Sequence, residues 1–318
     1  MTIGDHLHEL YRLPAHTFPG PDGKTDGLPA ADSVAWRITS DVYDHEETWA
    51  EAFARFCAAV DTTRVKALIV GAWEEAYEND SSVVIEALLA ARDRFPALRA
   101  LFLGDMTGEE CEISWIVQTD VTPLLASFPE LEEFGVRGGS GLRLQALKQS
   151  ALQSLVIETG GLSAEVVRAV GGSDLPALVH LDLWLGTSNY GADTEAADLE
   201  PILSGARLPS LRHLALRNSD VQDAVAAAVA SAPVVARLEV LDLSMGVLTD
   251  EGAEALLGGQ PLTHLKHLDL FHHYLSEPLV DRVRQTLEPA GVEVDLDRAG
   301  AHEDSDEDTV WRYVAVGE

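Results

Sequence analysis

A short apolar pattern, L-x-x-L-x-L, recurs eight times along this chain and constrains its fold more than any other feature. Its apolar positions are Val65/Leu68/Val70, Leu98/Leu101/Leu103, Leu131/Phe134/Val136, Leu152/Leu155/Ile157, Leu178/Leu181/Leu183, Leu211/Leu214/Leu216, Leu238/Leu241/Leu243 and Leu265/Leu268/Leu270. The middle residues of successive copies are 33, 33, 21, 26, 33, 27 and 27 residues apart. Periods of this size are typical of a solenoid, in which each unit buries the apolar face of the next.

The unit that follows Leu238 shows the pattern most completely. The strand sequence LEVLDLS is followed by LTDEGAEALL, in which Thr249 is placed to cap a helix. Asp250 and Glu251 then lie in the first helical turn, where negative charge is favourable. From about Val34 to Leu296 the chain resembles ribonuclease-inhibitor-like leucine-rich repeat proteins. The resemblance implies an α/β fold: a right-handed horseshoe with about ten parallel strands and an irregular N-terminal half.

Three further segments resemble a bacterial group of leucine-rich repeat proteins of the actinobacterial type. They are AWRI from Ala35, EISWI from Glu112 and the closing RYVAVGE from Arg312. This resemblance implies a gene neighbourhood with biosynthetic and modifying enzymes, and hence an accessory role with such an enzyme as partner. It supplies no catalytic residues.

Composition changes divide the chain into three parts. Residues 1–33 are rich in Pro and Gly and are expected to form an irregular arm that caps the first repeat. Residues 34–296 hold the repeats, and Val292–Leu296 is expected to be the last strand. Residues 297–318 are expected to form an acidic linker followed by a short capping strand near Val310–Val316. The N-terminus lacks the apolar run of a signal peptide, which predicts a cytoplasmic protein.

The formal charge of −31, from 53 acidic and 22 basic residues, limits the possible partners. Nucleic acid and anionic membranes are excluded, because both require clustered Lys and Arg. A basic protein or peptide is favoured. The two cysteines, Cys57 and Cys111, form neither a disulfide framework nor a metal-binding spacing, and no cofactor is expected.

Side chains alternate along a strand, so the residues between the apolar positions are expected to face the concave groove. In the N-terminal half of the groove these residues are small and apolar. In the C-terminal half they are charged and aromatic, and they form a candidate binding face: His180, Asp182, Trp184, His213, Arg217, Asp242, His267, Asp269 and Phe271. Such a face either binds a partner or is an ordinary solvated surface.

Acidic and aromatic residues also follow several strands, in segments expected to line one rim of the horseshoe. The candidate rim residues are Tyr43, Trp73, Glu74, Glu75, Tyr77, Glu78, Glu109, Glu110, Trp115 and Tyr190, with Asp44 among their acidic neighbours. Aromatic rings surrounded by carboxylates suit a basic peptide. Alternatively, the rings pack inward and the acids only solvate the loops.

No sequence motif for phosphate binding or nucleophilic catalysis is present, so we expect no enzymatic activity. The leading hypothesis is a non-catalytic protein-interaction module that recognises a basic protein or peptide through the rim and the groove. One alternative is an accessory subunit that presents a substrate to a biosynthetic enzyme. Another is a metal-binding protein or degenerate enzyme at His180, Asp182 and His213.

Overall fold

The computed structural model describes residues 3–43, 46–306 and 309–317. Within these residues, twelve strands form one sheet whose spatial order follows the chain. These strands are β1 (Glu9–Leu10), β2 (Leu13–Thr17), β3 (Ala35–Ile38), β4 (Ala67–Val70), β5 (Ala100–Leu103), β6 (Glu133–Arg137), β7 (Ser154–Glu158), β8 (His180–Gly186), β9 (His213–Ser219), β10 (Val240–Asp242), β11 (His267–Asp269) and β12 (Glu293–Asp295). The helices are α1 (Trp49–Ala59), α2 (Ser82–Ala90), α3 (Thr122–Ser127), α4 (Ala164–Gly172), α5 (Ala196–Ser204), α6 (Gln222–Val229), α7 (Asp250–Gly258) and α8 (Glu277–Leu287).

The strand register is the one that the apolar pattern predicts. The middle residue of each repeat lies opposite the middle residue of the next, in an unbroken row from Leu68 to Leu268. Trp36 on β3 and Val294 on β12 extend this row at its two ends. A shift by one residue would turn every apolar side chain away from the core, so burial fixes this register. The predicted leucine-rich repeat solenoid is confirmed.

The helices form a second layer that covers the other face of the core. Thr249 caps α7 as predicted, since its side chain accepts the N–H of Glu251. Helix α1 begins with a reciprocal capping box between Thr48 and Glu51. The predicted irregularity lies between β5 and β7, where α3 has 6 residues and the described chain from β6 to β7 contains no helix. The middle residues of the repeats on β6 and β7 are only 21 residues apart, which is too short for a strand, two turns and a full helix.

The N-terminal segment differs from the irregular arm expected of it. Strand β2 pairs in parallel with β3 and so extends the sheet by one strand, and β1 pairs antiparallel with β2. The segment then covers the concave face of the first repeats, where Leu7, Leu10 and Tyr11 pack against a buried apolar surface formed by Ala35, Ala67, Ile69 and Ala100. The small apolar groove expected in this half is therefore filled by the chain itself.

The C-terminal segment also differs in part from expectation. Strand β12 confirms the predicted last strand of the sheet. Beyond it, β13 (Glu303–Ser305) and β14 (Val310–Arg312) form a separate antiparallel hairpin. The predicted capping strand thus stops at Arg312, and Val314–Val316 turns back across the repeats as a buried irregular segment with a bend at Ala315. Residues 307, 308 and 318 of the expected tail lie outside the described part of the chain.

Candidate functional site

Buried ion pairs cross the concave face of the N-terminal repeats. Arg37 and Arg137 approach Asp105 with nitrogen–oxygen distances of 2.7 and 3.4 Å. Arg137 also lies 2.7 Å from the carboxylate of Glu158, whose pKa is raised by burial. Asp105 is fully buried and accepts the backbone N–H of Leu7, so the network holds the N-terminal segment in place. The opposite charges of Arg137 and Glu158, at equivalent positions of neighbouring repeats, were the available sequence signal for this network.

The C-terminal half of the face is organised around Arg217. Its Nε and Nη2 atoms donate to the two carboxylate oxygens of Asp182 at 3.0 and 2.5 Å, and Nη1 lies 3.4 Å from Asp242. The guanidinium also lies 5.1 Å from the ring centre of Trp184. Asp182, Trp184 and Asp242 are each less than 10% exposed. The sequence placed these residues on an open surface, but the structure buries them and pairs their charges internally.

Two histidines lie beside this ion-pair cluster. The rings of His180 and His213 are 4.3 Å apart, and the Ser154 hydroxyl lies 2.9 Å from Nδ1 of His180. Burial, reinforced by the neighbouring His180, lowers the pKa of His213 to about 4, so this ring is neutral at physiological pH. No group of three or more His, Cys, Asp or Glu side chains in the described chain converges on a metal position. Asp182, the carboxylate of the metal hypothesis, is bound to Arg217 instead.

The end of the concave face near β11 is more open. His267 lies 4.0 Å from Asp269 and 3.8 Å from Glu293. Burial, followed by repulsion from Asp242, raises the pKa of Asp269 to about 6. Phe271 is half-buried against a second apolar cluster, which contains Trp184.

The rim contains the most exposed aromatic residues of the N-terminal half. Tyr43, Tyr77 and Trp115 are 65, 36 and 57% exposed and together line a cleft of about 330 Å³. The rings of Tyr43 and Tyr77 are 6.1 Å apart. These three residues follow β3, β4 and β5, so the structure brings them together as the sequence predicted. We call this site the aromatic cleft.

An acidic cleft of about 850 Å³ adjoins the aromatic cleft, and Tyr43 lines both. Its walls include five carboxylate side chains, those of Asp41, Glu46, Glu47, Glu109 and Glu110. Glu109 is exposed, whereas Glu110 accepts the backbone N–H of Thr107 at 2.7 Å. Asp44, which the sequence placed in this region, lies outside the described residues.

Other predicted rim residues have structural roles. Trp73 is 2% exposed and donates its indole N–H to the backbone oxygen of Asn79, so it belongs to the core and not to the surface. Glu74 accepts the N–H of Trp49 and the Ser40 hydroxyl, which ties its carboxylate to the start of α1. Glu75 accepts the side-chain amide of Asn79, and Glu78 stays exposed.

Tyr190 does not join the aromatic cleft. It lines a separate glycine-rich cleft of about 400 Å³ with Ser140, Arg143 and Ser163. The sequence grouped it with the other rim residues because it also follows a strand, but β8 is three strands away from β5 in the sheet.

Comparison with known proteins supports the fold. A leucine-rich repeat family model matches residues 238–257, the unit that the sequence pattern marked as most complete. A crystal structure of a protein from Bacteroides fragilis is similar, with a TM-score of 0.76 and 29% sequence identity over 84% of this chain and 75% of that one. No curated protein matches the chain.

These findings support a protein-interaction module of the leucine-rich repeat type. The actinobacterial resemblance and the three-part division of the chain stay predictions.

The thiol of Cys111, which lines the aromatic cleft, has its pKa raised by burial to about 11 and is therefore not a nucleophile at neutral pH. Among the described helices, none is long and apolar enough to cross a membrane.

Proposed function

We propose that this chain is a protein-interaction module that binds a basic segment of a partner protein at the aromatic and acidic clefts of its rim. The observation that carries the proposal is the convergence of Tyr43, Tyr77 and Trp115 on one exposed cleft. Singly exposed apolar side chains are ordinary on a protein surface, whereas a contiguous exposed apolar group marks a contact site. Stacking and cation–π contact with Arg or Lys is the interaction that such a group offers best.

Charge supports the same ligand class. Glu78 and Glu109 are exposed near the aromatic rings, and the acidic cleft lies directly beside them. Burial, followed by the charges of Glu75 and Glu78, raises the pKa of Tyr77, so these two carboxylates add negative potential at its ring. A peptide with two basic side chains fits the arrangement, one over the rings and one in the acidic cleft. The net charge of −31 steers such a peptide toward the protein.

The concave face is the weaker candidate. Its N-terminal half is covered by the chain's own first residues, and its central Arg217 is bound by two carboxylates. The hypothesis of an accessory subunit for a biosynthetic enzyme rests on the sequence resemblance and stays a prediction.

The test is the affinity of a labelled peptide rich in Arg, Gly and Ser, compared with the same peptide carrying citrulline in place of Arg. The rim variant combines Glu78→Lys, Glu109→Lys and Trp115→Ala. It leaves Glu74 unchanged, because that residue holds α1. We expect the rim variant to bind the Arg peptide about tenfold or more weakly, and the citrulline peptide to bind wild type poorly.

A matched control carries Glu86→Lys and Glu254→Lys, which make the same charge change at exposed positions on helices α2 and α7. We expect the affinity of this control variant for the Arg peptide to fall by less than about threefold, because salt screens charges that are exposed and distant from the binding site. Equal losses in the rim and control variants would show that the peptide responds to overall charge, and the rim proposal would then be rejected.

A further inference from the structure

The second apolar cluster contains a segment from the C-terminal part of the chain. After strand β14, residues Val314–Gly317, here called the tail segment, cross the ends of the strands from β11 back toward β7. Their side of the contact is buried: Val314, Ala315 and Val316 are 8, 2 and 4% exposed. The repeat residues beneath them, Ser114, Trp184, Asn218 and Met245, are here called the ledge.

The ledge holds the tail segment through main-chain atoms. The Ala315 N–H donates to the Met245 carbonyl at 2.7 Å. The side chain of Asn218 accepts the Val316 N–H at 3.0 Å and donates to the Val316 carbonyl at 2.6 Å. The hydroxyl of Ser114 donates to the Gly317 carbonyl at 2.5 Å. These four hydrogen bonds recognise main-chain atoms of a segment that bends at Ala315, and they leave the identity of the side chains to packing alone.

That packing accepts small apolar side chains. Ala315 and Val316 belong to one cluster with Ile113, Trp184 and Met245. At the far end, a Cβ atom on Gly160 would collide with the Gly317 carbonyl, so glycine at 160 leaves room for the passing chain. Trp184 adds a buried indole N–H that has no hydrogen-bond partner in the described structure.

The repeats themselves shape the ledge. Asn218, Met245 and His272 occupy equivalent positions at intervals of 27 residues, and all three have positive φ angles of 57, 66 and 58°. This conformation is unfavourable for Met, and such strain often accompanies a binding role. Here the carbonyl of Met245 and the side chain of Asn218 meet the tail segment, while His272 Nε2 lies 2.9 Å from the carbonyl of Tyr313.

The tail segment is joined to the repeats by an exposed connection. Every residue of strands β13 and β14 is exposed, and the buried part of the tail segment is short. We propose that the ledge is a peptide-binding site for a short segment with small apolar side chains, like Val-Ala-Val-Gly, and that the tail segment occupies it until a partner protein's segment replaces it. Recognition through main-chain atoms admits a partner segment of a different sequence, provided that its side chains are small and apolar.

This inference is independent of the proposed function, because the ledge takes an uncharged segment and the rim clefts take a basic one.

The probe is a fluorescent peptide with the sequence of residues 309–317. The full chain carrying Val316→Asp releases its own tail segment, since a charge cannot be buried in the apolar cluster. We expect that variant to bind the peptide about tenfold or more tightly than wild type, whose site is occupied.

Two controls separate main-chain recognition from apolar attraction. A peptide that is N-methylated at the position of Val316 keeps every side chain but loses the N–H that Asn218 accepts, and we expect about a tenfold loss of affinity. Adding Asn218→Gly to Val316→Asp should give a similar loss, and glycine tolerates the positive φ at that position. Equal binding of the methylated peptide would overturn the proposal. So would a folded Val316→Asp variant that exchanges the Ala315 amide rapidly with solvent but binds no peptide.

Wild type provides a measurement that depends on no substitution. Excess unlabelled peptide should accelerate hydrogen exchange at the Ala315 N–H, and an unchanged rate would reject replacement. Sedimentation identifies the source of the replacing segment. A wild-type dimer that forms with rising concentration, and that Val316→Asp does not form, would assign the ledge to a second copy and overturn the assignment to a partner protein.

Discussion

Replacing Arg217 by Met tests whether the C-terminal half of the concave face is an internal ion-pair cluster or an available binding surface. The side chain of Arg217 makes two hydrogen bonds to Asp182 and an ion pair with Asp242 at 3.4 Å. Both carboxylates are more than 90% buried, and burial alone makes an unpaired charge costly. Met fills much of the same volume and keeps contact with Trp184 while removing the charge.

We expect Arg217→Met to lower the free energy of unfolding at pH 7 by about 3–5 kcal/mol, the usual cost of removing one partner of a buried ion pair. The measurement is urea denaturation followed by circular dichroism. Arg168→Met is the matched control, because Arg168 pairs with Asp198 at 2.7 Å but is 52% exposed. An exposed pair contributes less than about 1 kcal/mol, so the control should be nearly neutral.

The double variant Arg217→Met, Asp182→Asn identifies the cause. If uncompensated charge destabilises the single variant, then neutralising Asp182 should restore about 1–3 kcal/mol. A loss below about 1 kcal/mol in the single variant would refute the reasoning and return Arg217 to the candidate binding residues. A further loss in the double variant would also refute it, since the carboxylate would then be stabilised by other groups.

Two further predictions concern the same sheet. Asp269→Asn should stabilise the protein at pH 8 by about 1–3 kcal/mol. The pKa of Asp269 is about 6 in the folded protein and 3.8 in a free side chain, so ionisation of this carboxyl disfavours folding as the pH rises through 6. Urea denaturation should show this gain disappearing near pH 4, whereas Asp281→Asn, the same charge change on exposed α8, should show no such trend. Leu241→Ala should cost about 2–5 kcal/mol because its side chain is fully buried in the core. Val240→Ala, on the groove face of the same strand, should cost less than half as much, and equal losses would contradict the assigned alternation.

The strands could be predicted because their information is local. Leu181, Leu214 and Leu241 mark the buried face within a few residues of chain, and stacking identical faces leaves one register available. The cap at Thr249 is equally local, since its hydroxyl bonds two residues away. Among the rim residues, Tyr43, Tyr77 and Trp115 were brought together for the same reason, because each follows the same end of a neighbouring strand.

The exposure of the candidate residues depended on distant parts of the chain. Trp73 and Trp115 occur in similar acidic segments, but one ring enters the core and the other stays 57% exposed. Ala67 and Ala100 face the groove as the alternation predicts, but they are buried because Leu7 and Leu10 lie over them. No periodicity encodes such a contact, since it joins segments that differ in pattern and lie far apart in sequence.

By itself, the sequence determined the solenoid, its register and the acidic character of its surface, because burial period and charge are properties of each short segment. Only the tertiary structure decided which polar groups are paired and which surfaces are open. Arg217 was matched to Asp182 across 35 residues, and Asn218 to Val316 across 98. Such pairs form when the solenoid brings equivalent positions side by side and both end segments of the described chain fold back on it. The interaction energy of each pair depends on its burial, which neither partner creates alone.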